Sequence, residues 1–262
     1  MVDDVPVDRP CREVDLLFVI DNSGSMADEQ LNLIASFPGF IDGIEHTLGP
    51  QTSYHVGIVT TDLNLYNDLA CQQIGALTTK TGGDMSSASA CGPYADGARF
   101  MTTDDDLADT FACAAQVGID GNGLERPMDA IEAALHGHPA QTAACNDGFL
   151  RDEALLVLVL ITDEEDDGDS QGDPQQWYDR VIEAKGDPEQ VVALALVGHE
   201  KPNDCIAAQW TGMQGAEISP RLIDFAQRFP YGFVRDICSP SYTDAFADAV
   251  DGIDDACSVP VG

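Results

Sequence analysis

Asp21, Ser23 and Ser25 follow directly on the apolar run Val14–Ile20, and two adjacent acids, Asp28 and Glu29, come shortly after them. A carboxylate and two hydroxyls at alternating positions can hold a metal ion, present a nucleophile or cap a helix. Other acids decide among these. Asp62 follows Thr60 and Thr61, and Asp163 opens the run "DEEDDGD". Asp120, Asn122 and Glu125 lie in "GIDGNGLERP". All are oxygen donors, the kind that the hard ions Mg²⁺ and Ca²⁺ prefer. Zn²⁺ or copper would call for the His and Cys that these segments lack. Carboxylates packed together repel one another unless cations lie between them. Competing readings are ordinary ones. Asp21 or Ser23 can cap the following helix, and Asp28 and Glu29 can be first-turn acids. Asp120, Asn122 and Glu164–Asp167 can be solvated loop acids and amides.

The elements around these residues must bring them together. Apolar runs predict buried strands over Val14–Ile20, Tyr54–Thr60, Ala154–Ile161 and Val191–Val197, with shorter strands over Ala98–Thr102 and Gly232–Asp236. Helices are expected over Ala27–Leu48, broken or kinked at Pro38, and over Asp104–Ala115 and Glu125–His136. Further helices are expected over Pro174–Lys185, Pro220–Phe229 and Tyr242–Ile253. Strands alternating with helices predict an α/β fold: a doubly wound, mostly parallel central sheet with helices on both faces. Ligands of such sheets bind beyond the carboxyl ends of the strands, where Asp21, Asp62 and Asp163 stand. One domain is expected over residues 12–257, with tails 1–11 and 258–262. An irregular insertion rich in Gly, Ser, Thr and Asn spans about 63–96, tied by a Cys71–Cys91 bridge.

The 262 residues include 12 Lys+Arg against 46 Asp+Glu, a formal net charge of −34. That surface repels nucleic acid and anionic lipid and suits divalent cations or a basic partner. The 8 cysteines form no C-x-x-C, which argues for disulfides in an oxidising compartment, with Cys11 and Cys257 placed to join the domain ends. No apolar run approaches membrane-spanning length, so no transmembrane segment is expected. The acidic start "MVDDVPVDRP" does not read as a signal peptide. The expected location is extracellular, periplasmic or cell-surface, with the targeting segment absent from this chain. Nucleophile motifs, a P-loop and G-x-G-x-x-G are missing, so no enzyme is expected. A metal-dependent phosphoesterase is the catalytic alternative. A Ca²⁺-buffering or structural acidic domain is the non-catalytic one.

"DLLFVIDNSGSM" resembles the metal-ion-dependent adhesion site of the von Willebrand factor A domain family, D-x-S-x-S after a first buried strand. The order of elements over roughly residues 12–257 is similar as well. The resemblance implies one Mg²⁺ held by Asp21, Ser23, Ser25 and Asp163, directly or through water. Many family members place a Thr before the middle helix, where this chain has Glu125. In that respect it is similar to the integrin β-subunit version of the domain. That version implies a neighbouring Ca²⁺ at Asp28 and Glu29, and a third cation among Asp62, Asp120, Asn122 and Glu125. The implied function is cation-dependent binding of a protein ligand presenting Asp or Glu, with no nucleic-acid partner.

Overall fold

The computed structural model describes residues 11–137, 140–200, 203, 205 and 215–258. Of the expected tails 1–11 and 258–262, residues 1–10 and 259–262 lie outside the described residues. The elements run β1 (Glu13–Ile20), α1 (Ala27–Leu48), β2 (Ser53–Thr60), β3 (Met101–Thr102), α2 (Leu107–Ala115), α3 (Pro127–His136) and α4 (Ala140–Cys145). They continue with β4 (Leu155–Ile161), α5 (Pro174–Lys185), β5 (Val191–Val197), α6 (Pro220–Ala226), β6 (Tyr231–Asp236) and α7 (Thr243–Ser258).

Six strands form one sheet in the order β3-β2-β1-β4-β5-β6. Every neighbouring pair is parallel except β2 with β3. This is the doubly wound, mostly parallel arrangement expected. The winding reverses between β1 and β4, so the crevice at their carboxyl ends is the topological switch point.

Side-chain alternation divides the core. Leu16, Phe18 and Ile20 of β1 face the layer holding Phe37, Phe40, Phe111 and Phe246, from α1, α2 and α7. Leu17 and Val19 face the opposite layer, with Met128, Ile131, Trp177 and Phe225 from α3, α5 and α6. β4 and β5 are buried along their whole length, which is why their sequences are unbroken apolar runs.

Of the break or kink expected at Pro38, the break does not occur. The helix runs through it, and Leu33, Phe37, Phe40 and Ile44 form one buried stripe across the proline. Packing of that stripe outweighs the missing backbone donor.

Cysteine pairing corrects the reading of the insertion. Cys71 joins Cys145 of α4, and Cys91 joins Cys113 of α2, so the insertion is bolted to the domain rather than closed on itself. Cys11–Cys257 and Cys205–Cys238 complete four bridges. Complete pairing is the state an oxidising compartment maintains. No helix among the described residues is long and apolar enough to cross a membrane.

The amino-terminal ends of the strands are pinned around Arg151, which pairs with Asp15 at 2.7 Å and Glu13 at 3.4 Å. Asp15 is fully buried and accepts from the backbone N and Nε of Arg151, each at 2.7 Å. Burial raises the Asp15 carboxyl, and the Arg151 bonds and charge pull it back.

Candidate functional site

β1, β2 and β4 end in register, with Ile20 beside both Thr60 and Ile161. The next residue of each strand extends the ladder: Asp21 N donates to Ile161 O at 2.9 Å and Thr61 N donates to Ile20 O at 3.3 Å. Asp21, Thr61 and Thr162 therefore form one row across the switch point. Side chains above that row link to one another. Asp21 is fully buried; Oδ1 accepts from Ser23 N at 2.7 Å and Oδ2 from Thr162 Oγ1 at 2.6 Å. The Ser23 and Ser25 hydroxyls are 3.2 Å apart, and Ser25 Oγ donates to Asp163 Oδ1 at 2.9 Å. Thr61 Oγ1 donates to Glu125 Oε2, while Glu125 Oε1 is buried without a hydrogen-bond partner. Gln30 of α1 fixes the loop from below, with Nε2 donating to Asp21 O at 3.1 Å and to Gly118 O at 2.9 Å.

The electrostatics show strain among like charges. Burial pushes the Asp21 carboxyl up to about 6 against the opposing bonds from Thr162 and Ser23. Burial and then the Asp21 charge push Asp163 up to about 7 and Glu125 up to about 10. Glu164 is raised to about 7 by burial and then Asp163. Glu29 is raised to about 9 by burial and then Asp28. No Lys or Arg stands among the main influences on these five groups. A multivalent cation would supply the missing positive charge.

The expected residues are gathered unevenly. Asp21, Ser23, Ser25 and Asp163 form one connected group, and Glu125 reaches it through the Asp21 charge. Asp28 and Glu29, in the first turn of α1, border it: Asp28 raises Asp163, and Asp163 raises Glu29. Glu29 is buried, and its Oε2 has no partner. The set expected around a third cation is looser. Asp62 accepts from Asn22 Nδ2 at 3.0 Å and from the backbone N of Asn122 at 2.7 Å. Asp120 is drawn to the insertion, where Oδ2 accepts from Tyr66 OH at 3.0 Å and Asp84 N at 3.1 Å. Asn122 contributes its backbone to Asp62, and no hydrogen bond among the described residues joins its side chain to Glu125.

Among the described residues, no three His, Cys, Asp or Glu side chains close on one point as a metal cage. Convergence runs instead through hydroxyls, since Ser25, Thr61 and Thr162 each donate to a different carboxylate. Carboxylates, hydroxyls and the orphaned Oε1 of Glu125 fit a hard ion such as Mg²⁺ that keeps some of its water. Thr162 and Gln30 were not singled out from the sequence. A usable signal was present: a Thr-Asp pair ends both β2 and β4, at Thr61-Asp62 and Thr162-Asp163.

No family model matches the sequence, and no curated protein matches it. Solved structures that resemble it include proximal thread matrix protein 1 from the mussel byssus, at 17% identity and a TM-score of 0.46. That match covers 95% of this chain and 47% of the byssus protein, so the chain spans about half of its length. The human COPII-coat protein Sec24c matches at 15% identity and a TM-score of 0.28, over 73% of this chain and 27% of its own. At these scores neither likeness speaks to function.

Proposed function

We propose that this domain binds a divalent cation, Mg²⁺ first, at the switch point between β1 and β4, and through it an acidic side chain of a protein partner. One observation carries the reading. Asp21, Ser23, Ser25 and Asp163 form a single bonded group at the crevice, and Glu125 brings a buried carboxylate oxygen with nothing to bind. The resemblance of "DLLFVIDNSGSM" to the metal-ion-dependent adhesion site of von Willebrand factor A domains points the same way. Bound there, the ion supplies a coordination position that a partner's Asp or Glu can fill.

Each side chain has a part in this reading. Ser23, Ser25 and Glu125 face the ion, while Asp21 and Asp163 hold the serines and add charge directly or through water. Neutral hydroxyls leave the ion under-neutralised, which favours an incoming carboxylate. Glu125 works against this, since an extra carboxylate lowers the local positive charge. Ca²⁺ beside Asp28 and Glu29 would restore it. The four disulfides suit work outside the cytoplasm, on a cell surface or in a periplasm.

Titration calorimetry of chelator-stripped protein tests the reading. Saturable Mg²⁺ binding that Asp21→Ala abolishes and Asp120→Ala preserves is expected. Binding unchanged in Asp21→Ala would reduce the acids to a diffuse ion atmosphere.

A further inference from the structure

A groove of about 430 Å³ runs beside the switch point. Its lining includes Asn22, Asp62, Asp120 and Arg126 together with Leu63, Leu65 and Tyr66 of the insertion.

Arg126 is a cation with no ion pair among the described residues, in a chain that has 46 acids for 12 bases. Its guanidinium makes no hydrogen bond and no ion pair among the described residues. Asp62 feels its charge, yet both Asp62 oxygens already accept, from Asn22 at 3.0 Å and from Asn122 at 2.7 Å. The Arg126 backbone is held at the start of α3, donating to Thr61 O at 3.1 Å and accepting from Ala130 N at 3.0 Å. A half-buried guanidinium on a fixed stem has donors to offer a carboxylate.

The insertion side is turned inside out. Asn64 and Asn67 are buried, where they bond the loop's own backbone, while Leu63, Leu65 and Tyr66 are 39%, 65% and 46% exposed. Exposed apolar side chains on a braced loop mark a contact surface. The bracing is close: a Cβ on Gly82 would come within 2.3 Å of the Tyr66 ring, and Tyr66 OH is tied to Asp120 at 3.0 Å. Ile119 N donates to Asp84 O at 3.0 Å, and the Cys91–Cys113 bridge anchors the insertion to α2. The groove is thus preformed, which lowers the ordering cost of filling it.

We infer that this groove takes an extended, acidic segment of a partner protein, with a second carboxylate on Arg126 and an apolar side chain against Leu65 and Tyr66. This rests on the metal reading, in which a first carboxylate meets the ion. Glu125 and Arg126 are successive residues, with Cα atoms about 3.8 Å apart, so both anion positions are built on one turn of chain. Side chains at i and i+2 of an extended chain share a face and lie about 7 Å apart. The segment therefore reads acid–apolar–acid. The chain's net charge of −34 disfavours such a segment elsewhere on the surface, which favours the ion and Arg126.

Fluorescence anisotropy with three labelled probe peptides tests this in Mg²⁺. They carry Asp-Leu-Asp, Asn-Leu-Asp or Asp-Leu-Asn between neutral flanks. Wild type should bind the two-acid probe about 10-fold or more tightly than either one-acid probe, the size of one charge-assisted hydrogen bond. Arg126→Gln should erase that preference while its own Mg²⁺ titration matches wild type. Tyr66→Ala should weaken every probe. Equal binding of the two-acid probe by wild type and Arg126→Gln would overturn the subsite. So would a wild-type protein that takes up Mg²⁺ and binds none of the probes. Failure of the Mg²⁺ titration itself marks the fall of the metal reading instead. Self-association lost in Arg126→Gln would make a second copy of the chain the occupant and would also overturn the assignment.

Discussion

Replacing Arg151 by Met removes the cation that holds the amino-terminal edge of the sheet, and the cost follows from what is left behind. Asp15 is fully buried and loses the bond from Nε at 2.7 Å and the ion pair with Nη2 at 2.7 Å. Ser53 Oγ loses a donor at 2.9 Å, and the carbonyls of Val14 and Ser53 lose donors at 3.1 and 3.2 Å. Removing one partner of a buried pair costs about 3–5 kcal/mol, and here Asp15 would keep only the backbone N of residue 151 and His55 Nδ1 at 3.6 Å. For a chain of this size that corresponds to a fall in Tm of roughly 6–20 °C. The double variant Asp15→Asn/Arg151→Met should recover at least about 1 kcal/mol of the loss, since Asn leaves no charge stranded. Urea unfolding under non-reducing conditions measures all three proteins. Mg²⁺ affinity below the transition should stay unchanged, because Asp21 lies six residue steps along the extended chain from Asp15, roughly 20 Å. A single-variant loss under about 1 kcal/mol would refute the reasoning, since it would mean that Asp15 carries no buried charge. So would a double variant that is less stable than the single.

Three further outcomes are expected. In chelator-stripped protein the folded carboxyls of Asp21 and Asp163 lie at about 6 and about 7, above the ordinary 3.8. Raised folded values make their contribution to stability greatest at low pH and lost as pH rises through those values. Differential scanning calorimetry should therefore show Tm falling between pH 5 and pH 8, roughly the window those values set, and saturating Mg²⁺ should abolish the fall. Gly121→Ala should cost about 1–3 kcal/mol in urea unfolding and weaken Mg²⁺ binding in calorimetry, because its Cβ would meet Asn22 O at 2.6 Å beside Ser23. Cys91→Ser with Cys113→Ser should cost about 2–4 kcal/mol in urea and make the insertion the first site cut by protease, with cleavage sites read by mass spectrometry.

Legibility in the sequence tracked how local the physics was. β4 and β5 were plain because burial on both faces leaves only apolar residues. α2 begins at Leu107 rather than Asp104, because Asp106 is its cap and accepts from Asp109 N, while Asp105 closes the turn on Thr102. α7 runs past Ile253 to Ser258, carried by the buried Cys257 and its bridge to Cys11. α4 went unread because six residues show no period, and it is held by Cys145–Cys71 and by Asn146, which donates to Gly75 O at 2.8 Å. Asp21, Ser23, Ser25 and Asp163 were legible because strand ends place them whatever the loops do. Asp120 was not, because its direction depends on Tyr66 and Asp84, far away in the chain. Cysteine pairing is equally non-local, and eight cysteines offer on the order of a hundred patterns.

The most direct test of the central claim is a crystal structure of the protein soaked in Mn²⁺, with anomalous differences collected to find the ion. The account predicts one strong peak at the carboxyl ends of β1 and β4, about 2.0–2.3 Å from Ser23 Oγ and Ser25 Oγ and within reach of Glu125 Oε1. An empty switch point, with peaks only on surface acids or none at all, would contradict it.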